Sequence, residues 1–235
     1  MAEKERLRQN RAGTIINVTS KKMEQDVIVA LQQTVMYIEK KFRVRLAHTT
    51  DLFLKDIISV LQERYQDVDF TCKFERSSMR PDGGILSIVA KDSRKFPILI
   101  TEAKNQGTNE LRLKEGKPKQ AKGNAIERLG KNVIGFRTVL LHESIFPFVC
   151  FGDGCDFAPD SSILDRVITI SMFGELNKIR VHNEGPNGIF NRGSFYFRER
   201  KWTAGEMQKI MSEVAAKSIY YYFSKYGENT FRNND

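Results

Sequence analysis

The chain has 235 residues, of which 40% are hydrophobic and 10% aromatic, a composition typical of a folded globular protein with one sizeable core. Its formal net charge is +9, and residues 91–137 hold twelve Lys or Arg against five Asp or Glu, which favours a polyanionic partner over a merely solvated basic surface. No apolar run of membrane length, signal peptide or Cys/His metal spacing is present, so we expect a reduced, cytoplasmic protein that does not contact membranes.

The first third of the chain predicts an arm, two helices and a strand. Residues 1–19 are polar and charged, and we expect a flexible arm. Apolar residues at helical spacing predict a helix over 21–41. Thr50 is predicted to cap a second helix whose apolar face lies within 53–65. Alternation of apolar and polar residues predicts a strand over 68–74.

The centre of the chain predicts a hairpin followed by a loop and a helix. Strands are predicted over 85–90 and 96–103, joined by a turn at 91–94. Residues 105–122 form a polar loop rich in Lys and Gly. A helix is predicted over 125–141, with these residues facing inward: Ile126, Leu129, Val133, Phe136 and Leu140.

The remainder predicts the second half of one domain. A short buried strand over 146–151 follows a helix, which favours a parallel crossover pairing. Two further apolar or alternating runs cover 163–172 and 194–200, and a long closing helix is predicted over 203–226. We therefore expect a single domain over 20–227, with a polar, frayed tail at 228–235.

The most specific local pattern is Pro81-Asp82-Gly83-Gly84 followed by Glu102-Ala103-Lys104. Side chains two apart on a strand share a face, so Glu102 and Lys104 point the same way. The predicted hairpin brings Asp82 beside them. Two carboxylates suit one or two hard cations such as Mg²⁺, and a lysine can orient or deprotonate a water beside the metal. The pattern indicates phosphodiester hydrolysis, although a Glu-x-Lys pair by itself is also common as a solvated pair.

A second pattern, Gly123-Asn124-Ala125-Ile126-Glu127-Arg128, begins the helix that follows the basic loop. Asn can bond adenine through two hydrogen bonds, and Arg donates to guanine or bridges purines. A helix N-terminus also favours phosphate. Standing alone, Glu127 and Arg128 would be an ordinary surface pair.

The ordered motifs together resemble the EcoRI family of type II restriction endonucleases. The resemblance runs from about Met79 to Tyr226. It rests on residues 80–84, 102–107 and 123–128, and is extended by Phe146-Pro147-Phe148-Val149, Gly154-Cys155-Asp156-Phe157, Ile163-Leu164-Asp165-Arg166 and Trp202 with the helix after it. It implies an α/β fold with a PD-(D/E)XK core, in which a mixed sheet of five or more strands is flanked by helices.

The resemblance also implies roles for individual residues. Asp82 and Glu102 become catalytic metal ligands for Mg²⁺ with the Ala103 carbonyl as a third, and Lys104 positions the attacking water. A recognition segment over 105–137 would hold the base readers, namely Gln120, Ala121, Gly123, Asn124, Ala125, Glu127 and Arg128. Contacts to phosphates or the groove would come from Asn105, Lys117, Lys119, Lys122 and Arg166.

The implied substrate is double-stranded DNA with an AATT centre. GAATTC leads, but bare AATT or another outer pair stays open, because the loop between Gly116 and Gly123 is shorter than in the family pattern and Thr169 stands where that pattern has a second Arg. A palindromic site favours a homodimer. The resemblance places the protein in the bacterial or archaeal cytoplasm, in a host with a cognate DNA methyltransferase. A nuclease without AATT specificity, for repair or junction resolution, and a catalytically silent DNA-binding protein remain alternatives.

Overall fold

A five-stranded mixed sheet forms the centre of the computed structural model, which describes residues 15–105, 114–117, 124–159, 161–171, 175–183, 185, 188 and 191–232. The strands, in chain order, are β1 Leu46–Thr49, β2 Leu52–Phe53, β3 Ser78–Met79, β4 Gly84–Val89, β5 Lys95–Asn105, β6 Phe148–Asp153 and β7 Ser194–Arg198. The sheet order is β1-β4-β5-β6-β7, whereas β2 and β3 pair separately. β1, β4 and β5 are antiparallel neighbours, and β5, β6 and β7 are parallel.

Helices cover both faces of this sheet. They are α1 Ile15–Phe42, α2 Leu54–Arg64, α3 Asn124–Val139, α4 Ser162–Ile170 and α5 Ala204–Tyr226, with short 3₁₀ turns at Cys155–Phe157 and Glu228–Thr230. α1 packs against α5, and both contact β5 on one face of the sheet. α3 lies on the other face and contacts α2 and α4. The expected mixed sheet with flanking helices is therefore confirmed.

The apolar residues of the strands alternate between these two layers. In β6, Val149 and Phe151 join the core beneath α1 and α5, whereas Phe148 and Cys150 join the core beneath α3. This alternation follows from the two-residue period of a strand. Both cores are buried, so β6 reads in sequence as one continuous apolar run.

The connection from β5 to β6 sets the position of the candidate site. α3 lies in this connection, and Glu102 of β5 stands opposite Cys150 of β6 in parallel register. The predicted parallel pairing is confirmed. In open α/β sheets, ligands bind beyond the carboxyl ends of the parallel strands. Lys104 and Asn105 lie at that end of β5, and Asp153 lies at the same end of β6.

Two predictions for the region before the hairpin were wrong. Residues 68–74 form no strand, and Phe74 at their end is 73% exposed. Thr50 does not cap α2, because β2 intervenes and the helix begins at Leu54. The Thr50 hydroxyl donates instead to the Asp51 carboxylate at 2.8 Å.

Both ends of the described chain pack more firmly than their composition indicates. α1 begins at Ile15, so the last residues of the expected arm are helical, while residues 1–14 lie outside the described part. Phe231 is 1% exposed, meets the ring of Phe96 edge to face and stacks with the ring of Phe223. The prediction of a frayed tail was therefore wrong for residues 228–232. No helix within the described part of the chain is long and apolar enough to span a membrane.

Candidate metal-dependent active site

A tight turn at Pro81-Asp82-Gly83-Gly84 places Asp82 beside β5. The Gly84 N–H donates to the Pro81 carbonyl at 2.9 Å, and the Gly83 N–H donates to the Thr101 carbonyl at 2.9 Å. Gly84 has φ +74°, a conformation that favours glycine. A Cβ on Gly83 would lie 2.8 Å from the Thr101 Cβ. Both positions therefore favour glycine on steric grounds, and the turn that they form brings Asp82 against β5.

Asp82, Glu102 and Lys104 converge as the sequence predicts. The Asp82 Oδ2 accepts from the Ala103 N–H at 3.0 Å and from the Lys104 Nζ at 3.3 Å. The Asp82 N–H donates to the Glu102 Oε2 at 3.4 Å. Lys104 also pairs with the Glu102 Oε1. The hairpin thus joins the two parts of the motif through backbone and side-chain bonds.

The Lys104 ammonium is held by three oxygen atoms. Besides Asp82 Oδ2 and Glu102 Oε1, it donates to the Ala103 carbonyl at 3.0 Å. These are the three groups that the resemblance implies as metal ligands. Carboxylate and carbonyl oxygens are the donors that hard divalent cations prefer. These oxygens of Asp82, Glu102 and Ala103, called the cradle below, already bind one cation, so the donor set fits Mg²⁺.

The donor set contains only two acidic side chains. Within the described ranges no group of three His, Cys, Asp or Glu residues is arranged to hold a metal ion. A carbonyl from the main chain supplies the third oxygen, and water would complete the coordination of Mg²⁺. The site therefore depends on the backbone of β5 as much as on its side chains.

Burial and charge oppose each other at this site. Burial raises the pKa of Glu102, whose side chain is 2% exposed, and the neighbouring Lys104 ammonium partly offsets that rise. Burial alone would lower the pKa of Lys104, but the carboxylates of Glu102 and Asp82 outweigh it and the pKa is raised. In this arrangement Lys104 remains protonated at neutral pH. Its ammonium donates a hydrogen bond to each of the three oxygens.

Two polar residues near the carboxylates have no signal in the motifs. Asn132 of α3 donates from Nδ2 to the Glu102 Oε1 at 3.3 Å. Glu24 of α1 has its pKa raised by burial and then by the Asp82 carboxylate. Both lie on helices far from the hairpin in sequence. The spacing of Asn132 four residues after Arg128 is the single hint that the sequence offers.

The predicted DNA-contacting residues lie in several environments. Glu127 and Arg128 are exposed on the first turns of α3, whose predicted inward face is buried. Arg166 is exposed on α4. Lys117 pairs with Glu115 at 2.6 Å. The other predicted contacts lie outside the described residues, namely Gln120, Ala121, Gly123, Lys119 and Lys122, together with the side chains of Asn124 and Ala125.

Asn105 takes part in a structural contact at the ends of two strands. Its Nδ2 donates to the Asp153 Oδ1 at 2.6 Å. Asp153 is 3% exposed and also accepts from the Trp202 N–H at 3.1 Å. These bonds connect β5, β6 and the segment before α5 just beyond Lys104. A buried carboxylate with two donors fixes the frame of the site.

Comparisons with known proteins agree with this geometry. The family described as Restriction endonuclease EcoRI matches residues 10–229 of the chain. The Type II restriction enzyme RsrI of Cereibacter sphaeroides is 34% identical over 178 residues, which are 62% of this chain and 64% of RsrI. The Type II restriction enzyme EcoRI of Escherichia coli is 28% identical over 199 residues, which are 70% of this chain and 72% of EcoRI. The resemblance inferred from the motifs is confirmed, and the chain belongs to the EcoRI family of restriction endonucleases.

Proposed function

We propose that this protein is a type II restriction endonuclease that hydrolyses phosphodiester bonds of double-stranded DNA in the presence of Mg²⁺. The observation that carries the proposal is the cradle of Asp82, Glu102 and Ala103 oxygens around the Lys104 ammonium. Membership of the family supports the reaction class, since both relatives are named Type II restriction enzymes.

The residues of the cradle would divide the chemistry between them. Asp82, Glu102 and the Ala103 carbonyl would hold Mg²⁺, which would supply Lewis acidity and offset the negative charge of the phosphate. Lys104 donates a hydrogen bond that orients the attacking water. Its hydrogen bonds to all three oxygens of the cradle support this positioning role. Glu102 is 2% exposed, so bulk water does not reach the cradle from that side.

The proposed recognition site has an AATT centre, with GAATTC as the leading sequence. The readers would be Asn124, Glu127 and Arg128, supported by the segment that contains Gln120, Ala121, Gly123 and Ala125. Exposure of Glu127 and Arg128 on the first turns of α3 supports this assignment. A well-placed pair of hydrogen bonds to one base is worth about 1–3 kcal/mol of discrimination.

Contacts to the DNA backbone would come from the basic residues around α3 and from α4. The net charge of +9 supports binding to a polyanion. The proposed set is Lys117, Lys119, Lys122 and Arg166, together with Asn105. Of these, Asn105 would have to serve both DNA and the Asp153 carboxylate that it contacts here.

The proposed assembly is a homodimer, with each protomer cutting one strand. A palindromic site presents two identical halves, which a two-fold dimer matches. Within each protomer, one nuclease domain would span 20–227 with its recognition segment at 105–137. Packing of α1 on α5 supports this extent, because the two ends of the chain share one core. A host would also carry a DNA methyltransferase that protects its own sites.

Plasmid digestion tests the proposal against its alternatives. With Mg²⁺ the protein should give discrete fragments, and with EDTA it should give none. Glu102→Gln should bind the same DNA without cutting it, while Glu213→Gln, an exposed acid on α5 paired only with Lys217 among the described contacts, should cut normally. A smear would favour a nuclease without site specificity. Binding without any cleavage would favour a silent DNA-binding protein.

A further inference from the structure

Asn132 joins the helix that carries the candidate base readers to the candidate metal ligand. Its Nδ2 donates to the Glu102 Oε1 at 3.3 Å, and its side chain is half-buried. Residues four apart on a helix lie on one face, so Asn132 stands one turn below Arg128. One face of α3 therefore presents Arg128 to solvent at its start and Asn132 to β5 further along.

The Glu102 carboxylate is oriented by donors from separate elements. Its Oε1 accepts from Lys104 and from Asn132, and its Oε2 accepts from the Asp82 N–H at 3.4 Å. Lys104 and Asp82 belong to the hairpin, so their contacts do not report the position of α3. Among the described hydrogen bonds to this carboxylate, the bond from the Asn132 amide is the one that α3 donates. Its length therefore changes when α3 moves relative to β5.

The length of this contact makes it sensitive to small movements of the helix. N–H···O bonds are usually about 2.9–3.0 Å long, and a contact of about 3.6 Å is no longer a hydrogen bond. At 3.3 Å the Asn132 contact lies between these limits. A shift of α3 by a few tenths of an ångström would either tighten it or break it. Hydrogen bonds in ligand-free active sites often tighten only when substrate is bound.

We propose that Asn132 is a positioning residue that makes the orientation of Glu102 depend on how α3 is seated on DNA. Correct base contacts at the start of α3 bring the amide closer to Glu102 Oε1 and fix the carboxylate for Mg²⁺. Incorrect contacts leave the carboxylate loosely held. This inference rests on the proposed function, because it takes Glu102 as a metal ligand and Arg128 as a base reader.

The competing role for Asn132 is a direct contact to a DNA phosphate. The two roles differ in what they change. A phosphate contact contributes to affinity for all sequences. A positioning contact changes the response of cleavage to Mg²⁺, because partners that orient a metal ligand typically contribute about 10–100-fold in metal affinity or activity.

The main test compares Asn132→Leu with the full-length wild-type protein. Leu has the same branched arrangement of heavy atoms as Asn but no donor. We expect single-turnover cleavage of cognate DNA to fall about 10–100-fold at fixed Mg²⁺, with a higher Mg²⁺ concentration needed for half-maximal rate. Metal-free binding of the same duplex should change less than about threefold, since phosphate contacts dominate that affinity. Asn132→Ala, which also lacks the donor and adds no charge, gives a second variant that should show the same pattern.

The matched control is Thr138→Ala on the same helix. Thr138 is half-buried, and its hydroxyl donates within the helix to the Ile134 carbonyl at 2.8 Å. Its removal should leave both the Mg²⁺ response and DNA binding unchanged. Thermal unfolding of each variant checks that the fold is retained.

A change of one base pair in the preferred site tests the coupling itself. In the wild type, this change should slow cleavage by more than it weakens binding. In Asn132→Leu the difference between the loss of cleavage rate and the loss of binding should be smaller, because the link from α3 to Glu102 is already absent. The proposal would be overturned if Asn132→Leu had the same Mg²⁺ response as the wild type, or the same difference between the loss of cleavage rate and the loss of binding. It would also be overturned if Asn132→Leu lost as much binding as cleavage rate. Retained cleavage in Glu102→Gln would instead overturn the proposed function.

Discussion

Replacing Lys104 with Met should expose the charge balance that holds the active site together. Met keeps most of the volume of Lys but removes the ammonium that touches Asp82, Glu102 and the Ala103 carbonyl. The Glu102 carboxylate would then be buried beside Asp82 without its cation. We therefore expect a less stable protein that cannot cleave DNA.

The expected cost follows from the burial of the pair. Removing one partner of a buried ion pair costs about 3–5 kcal/mol. Glu102 is 2% exposed and falls in this class, whereas Asp82 is 28% exposed and contributes less. The pKa of Glu102 is already raised by burial and would rise further, so the site can relieve part of the cost by taking up a proton.

The dependence on pH has a definite sign. A carboxyl group whose pKa is higher in the folded state binds more protons there, so stability falls as pH rises from its unfolded pKa through its folded one. The penalty of Lys104→Met should therefore be small near pH 4.5 and grow toward neutral pH. Each unit by which the pKa of Glu102 rises corresponds to about 1.4 kcal/mol.

Urea unfolding at one protein concentration, with EDTA, measures this cost at both pH values. Adding Glu102→Gln to Lys104→Met should recover most of the loss, since the unpaired charge is gone. Mg²⁺ should stabilise Lys104→Met more than it stabilises the wild type, because no ammonium competes for the three oxygens. Equal stability of Lys104→Met and wild type at neutral pH, or no added response to Mg²⁺, would refute the reasoning.

Four further predictions concern DNA binding and the fold. Asp82→Ala should cut cleavage by orders of magnitude yet bind DNA without metal as well as or better than the wild type, because it removes a negative charge facing phosphate; weaker metal-free binding in a filter assay would contradict this. Log affinity should fall with log salt by about 0.9 per phosphate contact, and Lys117→Ala should reduce that slope by roughly one; an unchanged slope would remove Lys117 from the interface. Thr203→Ala should cost about 1 kcal/mol in urea unfolding, because Thr203 and Glu206 form a capping box at the start of α5. The pKa of Glu206 is lowered to about 2, first by its bond to Arg198, so its contribution to folding stability is present above about pH 4.5 and is lost as pH falls toward 2. Glu206→Gln should therefore make stability less dependent on pH over that window, and an unaltered dependence would argue against this role.

The hairpin and the convergence of Asp82, Glu102 and Lys104 could be predicted because their signals are local. Pro81-Asp82-Gly83-Gly84 specifies a turn, and the two-residue period of a strand places Glu102 and Lys104 on one face. The parallel pairing of β5 with β6 followed from a helix between two strands. These inferences needed no knowledge of distant parts of the chain.

The errors arose where distant contacts decide the structure. Residues 68–74 alternate as a strand would, but no neighbouring strand in the described structure receives their backbone hydrogen bonds. The tail is polar in composition, yet the single aromatic ring of Phe231 packs into the core and orders it. Asn132 and Glu24 reach the site from helices whose seating on the sheet is set by tertiary packing, which no local pattern encodes.

Sequencing the ends of fragments from a complete Mg²⁺ digest of a plasmid tests the central claim most directly. Site-specific cleavage at a palindrome with an AATT centre predicts that every end maps to such a site and that each such site of the full recognition sequence is cut. Lys104→Ala should yield no such ends under the same conditions. Ends at recurring sites without AATT would contradict the proposed base readers, and ends scattered over the plasmid would contradict a site-specific endonuclease.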